Sequence, residues 1–209
     1  MNKIKSLLLV VSLTLTSLCL GQNNIAKIDQ LLAEKFKTTK TGAAVLISQN
    51  GTPIYRKAFG LANLELNVKM TPNNVFEIGS MTKQFTAVAI LLLVEQGKIN
   101  LQDDITKYIP DYPTRGHKIS IHQLLNHTSG IKSYTRMRKL FTVARNDMKP
   151  LELIKFFRDE PMDFNPGEEY KYNNSAYIIL GYIIEKTTGI SYEKYIQRNI
   201  FDKLGMKNS

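Results

Sequence analysis

Three places in this 209-residue chain set a lysine three residues after a serine: Ser80 with Lys83, Ser129 with Lys132, and Ser191 with Lys194. On a helix that spacing puts both side chains on one face, one turn apart. A serine hydroxyl is a poor nucleophile until a base removes its proton, and a lysine whose ammonium is disfavoured by its surroundings can be that base. The surroundings separate the three pairs. Ser129–Lys132 spans a glycine turn, and Ser191–Lys194 reads as an N-cap opening a surface helix. Ser80 and Lys83 instead sit at the mouth of the most apolar run in the chain, Phe85–Val94. There a charged lysine is disfavoured, and the positive end of the helix favours both its deprotonation and a developing oxyanion.

The residues around Ser80 add weight to that pair. The stretch Phe76-Glu77-Ile78-Gly79-Ser80-Met81-Thr82-Lys83-Gln84-Phe85-Thr86 is followed by Glu95-Gln96-Gly97-Lys98 and Leu101-Gln102-Asp103-Asp104. Further on come Leu124-Leu125-Asn126-His127-Thr128-Ser129-Gly130, Phe164-Asn165-Pro166-Gly167, Tyr172-Asn173-Asn174 and Leu204-Gly205-Met206. In this order the set resembles the serine β-lactamase family, in its class C and low-molecular-weight D,D-peptidase branch, over nearly all of residues 25–209.

The resemblance implies an α+β fold of the β-lactamase/transpeptidase type, an antiparallel sheet with packed helices and a helical subdomain. It implies a Ser80 acyl-enzyme with Lys83 and Tyr172 as the other catalytic residues, and Asn174 binding a substrate amide and orienting Lys83. A phenol beside an ammonium ionises more readily, so Tyr172 is then suited to take the Ser80 proton and return it to the leaving group. The alternative is that Tyr172 packs in the core while Asn174 or Ser175 caps the next helix. No cofactor is implied. The substrate would be a D-amino-acid peptide, such as one derived from peptidoglycan, a β-lactam or an ester, and a fold does not choose among them. The family's third element, Lys-Thr-Gly or a relative, should follow the Tyr motif. Lys40-Thr41-Gly42 precedes Ser80, and Lys186-Thr187-Thr188-Gly189 ends a helix, so both read as structural. The expectation is therefore a domain over residues 22–209 that is incomplete at its C-terminal end and lacks the closing strands. The rival reading is a non-catalytic or vestigial module of the same fold that binds the cell envelope.

Other chemistries find less support. His117, His122 and His127 are five apart, a rotation of about 140° per step on a helix, so they do not share a face for a metal. His127 reads as a turn-packing residue. Glu168 and Glu169 point apart on an extended segment, against a paired-carboxylate glycosidase. Residues 132–149 carry six Lys and Arg against one acid, Asp147, and read as a solvated basic face.

The elements that must hold these residues follow from periodicity and turn chemistry. Ile25, Ile28, Leu32 and Phe36 predict an opening helix. Ala43–Ser48 and Thr52–Phe59 predict one hairpin across Asn50-Gly51, where both turn residues need positive φ. Residues 60–75 read as irregular. The Phe85–Val94 helix is apolar all round and is expected to be buried on every side. Short helices are expected at 121–126 and 151–158, and longer ones at Ser175–Thr187 and Ser191–Leu204, closed by Gly189 and Gly205.

Composition fits one globular domain, with 43% hydrophobic and 22% charged residues and a net charge of +10. Residues 1–21 read as a secretory signal. Lys3 and Lys5 precede a mostly apolar stretch, and Gly21 lies before the expected cleavage at Gln22. The stretch falls short of the ~20 apolar residues of a membrane span, so no stable membrane anchor is expected. Removing it leaves 188 residues, a charge of +8 and no cysteine, since Cys19 departs too. That excludes a Cys nucleophile, a Cys-ligated metal and a disulfide scaffold. Export to the periplasm or beyond makes nucleic acid an improbable partner, and anionic envelope polymers the better reason for the positive charge.

Overall fold

The structure is a computed structural model that describes residues 24–209, in two units that divide between Glu77 and Ile78. The proposed signal lies outside the described residues. Residues 24–35 are helical (α1). Strands β1 (Ala43–Gln49) and β2 (Thr52–Phe59) pair antiparallel, with a register shift at Ile47/Ser48. Asn50 and Gly51 have φ of 49° and 77°, the left-handed pair that the Asn-Gly turn requires. Asp29 of α1 accepts a 2.5 Å hydrogen bond from the Tyr55 hydroxyl and pairs with Lys57, tying α1 to β2.

Two strands appear where irregular chain was expected. β3 (Leu61–Asn63) and β4 (Val68–Lys69) form a second, short antiparallel pair. The turn between them is closed by the Asn63 side chain accepting from the Leu66 N–H, a polar signal that hydrophobic alternation does not carry. Lys40-Thr41-Gly42 is structural, as expected. Gly42 N–H donates to Leu61 O and Leu61 N–H to Lys40 O, each at 2.8 Å. A Cβ on Gly42 would lie 2.2 Å from Phe59 O, so the two segments meet only because the side chain is absent.

The second unit is helical. α2 (Thr82–Glu95) follows a 3-10 turn at Gly79–Met81 that carries Ser80. α3 (Ile121–Leu125) opens with a capping box from Ser120 and Gln123. α4 (Pro150–Phe157) starts with proline at its first position, where the missing N–H costs nothing. α5 (Asn174–Thr188) contacts α2, α3, α4 and the next helix, α6 (Tyr192–Ile196). A π-helical stretch, Gln197–Phe201, leads into α7 (Asp202–Leu204), so the last helix expected from sequence is present with a π segment in its middle. Gly189 and Gly205 end α5 and α7 in the left-handed conformation.

The core lies between these helices. Ala176, Ile179, Leu180, Ile183 and Ile184 of α5 are fully buried against Ala89, Ile90 and Leu93 of α2 and against Ile121, Leu124, Ile154 and Phe157. Each large side chain contributes roughly 1.5–3 kcal/mol over leaving it in water. α2 differs from its expected all-round burial. Its buried residues Thr86, Ala89, Ile90 and Leu93 form one stripe, while Val88 and Leu91 are nearly half exposed. The apolar sequence covers both faces, but only one has packing partners in this unit.

Candidate active site

Ser80 and Lys83 lie at the mouth of α2, and a second layer of backbone brings Tyr172 to them. The loop after α3 runs beside the approach to α5 and is hydrogen-bonded to it in steps. Gly130 O accepts from Asp163 N–H at 2.8 Å, Thr128 O from Gly167 N–H at 2.8 Å, and His127 O from Lys171 N–H at 3.0 Å. Gly130 has φ of +71°, and a Cβ there would lie 1.9 Å from Phe164 O, so glycine permits the close approach. Lys132 and Lys171 both reach the buried Asp163 carboxylate at 2.7 Å. Burial alone would raise the Asp163 pKa, but the two ammonium groups outweigh it and hold the carboxyl below its usual range.

Asn173 carries the register from this loop into α5. Its side chain caps the helix by accepting from Ala176 N–H at 3.0 Å, and its amide also donates to Ile131 O. Ser175 Oγ donates to Lys132 O at 2.7 Å and accepts from Tyr134 N–H at 2.8 Å, while Ser133 Oγ accepts from Asn174 N–H at 3.2 Å. Asn174 and Ser175 are therefore free of the capping role, which falls to Asn173.

The four residues expected from sequence converge. The Tyr172 hydroxyl donates to Ser80 Oγ at 2.6 Å. Lys83 Nζ donates to Asn174 Oδ1 at 2.7 Å and to Ser80 Oγ at 3.4 Å. Asn174 Nδ2 donates in turn to Thr135 Oγ1 at 2.9 Å. Lys83 Nζ also lies over the rings of Tyr172 and Tyr177, 4.7 and 5.2 Å from their centroids. The bare apolar mouth expected around Lys83 is thus replaced by an amide oxygen, a hydroxyl and two ring faces, all suited to a cation. The phenol bears the consequence. Burial pushes the Tyr172 hydroxyl up, but Lys83 and the bond with Ser80 more than offset it and hold it below the usual tyrosine range.

The other Ser-x-x-Lys pairs do not assemble. Ser129 Oγ is buried without a hydrogen-bond partner among the described residues, and Lys132 is engaged with Asp163. Ser191 stands at the N-cap position of α6, but its hydroxyl donates to Glu193 at 2.5 Å instead of capping. Sequence reasoning missed Asn173, Ser133, Thr135 and Tyr177. Polar residues at 133, 135 and 173 carried no periodic signal, and Tyr177, one turn into α5 on the Asn173–Asn174 side, was the one that helical spacing could have found.

Beside the site opens a cavity of about 640 Å³ whose lining includes Ser80, Lys83, Asn174, Tyr134, Tyr177 and Leu153. Its walls are mostly apolar with a few convergent polar groups, the usual make-up of a small-molecule site. Among the described residues, no group of three or more His, Cys, Asp or Glu is placed to hold a metal ion, and no helix is long and apolar enough to cross a membrane.

An α+β chain with a serine at a helix mouth, a lysine one turn on and a phenol against the serine hydroxyl has the frame of the β-lactamase/transpeptidase fold, whose members include serine hydrolases. A family model described as Beta-lactamase matches residues 26–209, and the chain belongs to that family. It is 36% identical over 172 residues to Protein flp of Staphylococcus aureus, covering 80% of this chain and 34% of that one. It is 31% identical over 182 residues to a penicillin-binding protein of Bacillus subtilis, covering 86% and 39%. Among solved structures, a D-amino acid amidase from Ochrobactrum anthropi superposes with a TM-score of 0.77 at 28% identity, over 88% of this chain and 51% of that one. The chain thus spans just over a third of the length of the curated relatives it matches.

Proposed function

We propose that this protein is an exported serine hydrolase that cleaves a D-amino-acid peptide or amide, a β-lactam or an ester through an acyl-enzyme on Ser80. The observation that carries this reading is the 2.6 Å contact between the Tyr172 hydroxyl and Ser80 Oγ, with Lys83 bridging Ser80 and Asn174. As a phenol, Tyr172 donates in that contact. As a phenolate held by the Lys83 ammonium, it accepts, and the Ser80 O–H becomes the donor.

Ser80 Oγ then attacks the substrate carbonyl carbon while its proton passes to Tyr172. The negative charge that develops on the carbonyl oxygen lies at the N-terminal end of α2, where the helix dipole favours an anion. When the tetrahedral adduct collapses, the C–N or C–O bond breaks and Tyr172 returns the proton to the leaving group. Water repeats the sequence against the acyl-Ser80 ester and regenerates the serine. Asn174 holds Lys83 in place, and its remaining amide hydrogen is available to a substrate carbonyl. The relationship to a D-amino acid amidase and to a penicillin-binding protein supports D-configured amides and β-lactams as the first compounds to try.

Incubation with a fluorescent penicillin, an activated fluorophosphonate and a D-amino-acid ester tests the reading. It predicts a covalent mass increase on the Ser80 peptide, absent in Ser80→Ala and retained in Ser129→Ala and Ser191→Ala. An adduct on Ser129 or Ser191 with Ser80 unmodified contradicts it. Binding of peptidoglycan fragments with no adduct on any serine would favour the non-catalytic module instead. Export rests on the Lys-led apolar run ending at Gly21. Mass spectrometry of the secreted or periplasmic protein should find Gln22 at its N-terminus, and an intact Met1 form in the membrane refutes export.

A further inference from the structure

His127 holds both amides that flank Tyr172. Its carbonyl accepts from the N–H of Lys171 at 3.0 Å, and its ring Nδ1 accepts from the N–H of Asn173 at 3.2 Å. Tyr172 is thereby fixed on either side by one residue. The His127 ring also packs on the phenol itself, with centroids 4.8 Å apart, and on Tyr177 of α5 at 5.2 Å, with Tyr170 edge-on at 6.0 Å. His127 adopts φ of +65°, in the left-handed region that histidine enters more readily than most non-glycine residues, and this turn of the chain aims the ring at Tyr172.

We propose that His127 is a positioning residue that must be neutral, with Nδ1 bare and the proton on Nε2, for Tyr172 to face Ser80, so that protonation of this one imidazole disables the serine site. The proposal deepens the Ser80 reading and rests on it for its effect on acylation.

The chemistry follows from the donor count. The Asn173 N–H can only donate, so it requires an acceptor at Nδ1. A proton on Nδ1 sets two donors against each other and breaks the contact that aligns residue 173, next to Tyr172 and at the cap of α5. The groups facing the ring are the Lys83 ammonium from α2, the phenols of Tyr170 and Tyr172 from the approach to α5, and the phenol of Tyr177 from α5 itself. Burial, and then the charge of Lys83, disfavour the imidazolium and keep His127 below the usual histidine range. The site is therefore intact at neutral pH and is disabled as the pH falls through the His127 midpoint.

The direct test is a pH titration of the 15N-labelled protein by NMR, which needs neither turnover nor a variant. The proposal expects His127 as the Nε2–H tautomer at neutral pH with a midpoint below the usual histidine range, and expects the Asn173 amide and Tyr172 ring signals to move with that same midpoint. An Nδ1–H tautomer overturns it, and so does a His127 titration that leaves Asn173 and Tyr172 unmoved. A second arm uses His127→Asn, which tolerates positive φ and sets an uncharged carbonyl oxygen close to where Nδ1 stood. Below the His127 midpoint, fluorophosphonate labelling of Ser80 should fall about tenfold more per pH unit in the wild type than in His127→Asn, because one further deprotonation is required. Equal slopes overturn the proposal. His127→Phe, which keeps a ring but no acceptor, should label more slowly at every pH. If the wild type is not labelled at any pH, the Ser80 reading fails, and the tautomer and the shared midpoint still judge His127.

Discussion

Two helices in this protein open with the same spacing of serine and lysine, and they teach what the spacing alone leaves out. At α2, the Ser80 hydroxyl meets a phenol contributed from 92 residues away, and Lys83 is held by an amide contributed from 91 away. At α6, the Ser191 hydroxyl turns to Glu193, two residues on, and Lys194 is exposed with no hydrogen bond to Ser191 among the described residues. The neighbour of Ser191 is already an anion, held below the usual carboxyl range first by that hydroxyl and also by the Lys194 charge. A carboxylate so stabilised is a weak base toward a serine. The neighbour of Ser80 is a phenol brought closer to ionisation. What separates the two pairs is that a second element reaches Ser80, whereas Ser191 turns to a residue of its own helix.

The two lysines differ most in what their removal should do. Lys83→Met removes the cation that favours the Tyr172 phenolate, and labelling of Ser80 should fall by about 10²–10⁴, the usual worth of general-base help. Tyr172→Phe should cost a similar factor, and the double variant little more, because groups that act as a unit are not additive. Lys194→Met should leave labelling unchanged. A Tyr172→Phe variant labelled at nearly the wild-type rate would return the base role to Lys83 alone.

A smaller effect is expected at two glycines, one in the loop that carries His127 and one just ahead of Ser191. Both Gly130 and Gly189 have φ near +70°. An added Cβ at Gly130 meets Phe164 O, whereas at Gly189 it meets nothing within 4 Å. Gly189→Ala should therefore cost only the left-handed strain, about 1–2 kcal/mol in a denaturant melt, and spare labelling. Gly130→Ala should cost more than that and slow labelling as well, since the displaced loop carries His127. Equal losses of stability, with labelling intact in both, would show that the loop does not position Tyr172.

Much of this frame was legible from local signals. Asn50-Gly51 forms the expected hairpin turn, Gly189 and Gly205 end the expected helices, and Ser80, Lys83, Tyr172 and Asn174 meet as the family resemblance implied. The β3–β4 pair escaped because strands of three and two residues are too short for alternation to register. The face of α2 that is buried could not be read from a run apolar on all sides. Asn173 and His127 escaped for a different reason. Their roles consist of hydrogen bonds to residues 42 and 46 positions away, and no spacing rule encodes such partners. A packed-turn reading of His127 fits its aromatic neighbours but misses the bond that gives its ring a preferred tautomer.

In the proposed reaction Tyr172, made more acidic by Lys83, takes the Ser80 proton. An ultraviolet titration of the phenols tests it without any substrate, comparing the wild type with Tyr172→Phe and Lys83→Met. One phenol should ionise below the usual tyrosine range of about 10. It should vanish in Tyr172→Phe and move upward in Lys83→Met. Superimposable titrations of the wild type and Tyr172→Phe at neutral to mildly alkaline pH would rule out Tyr172 as that phenol.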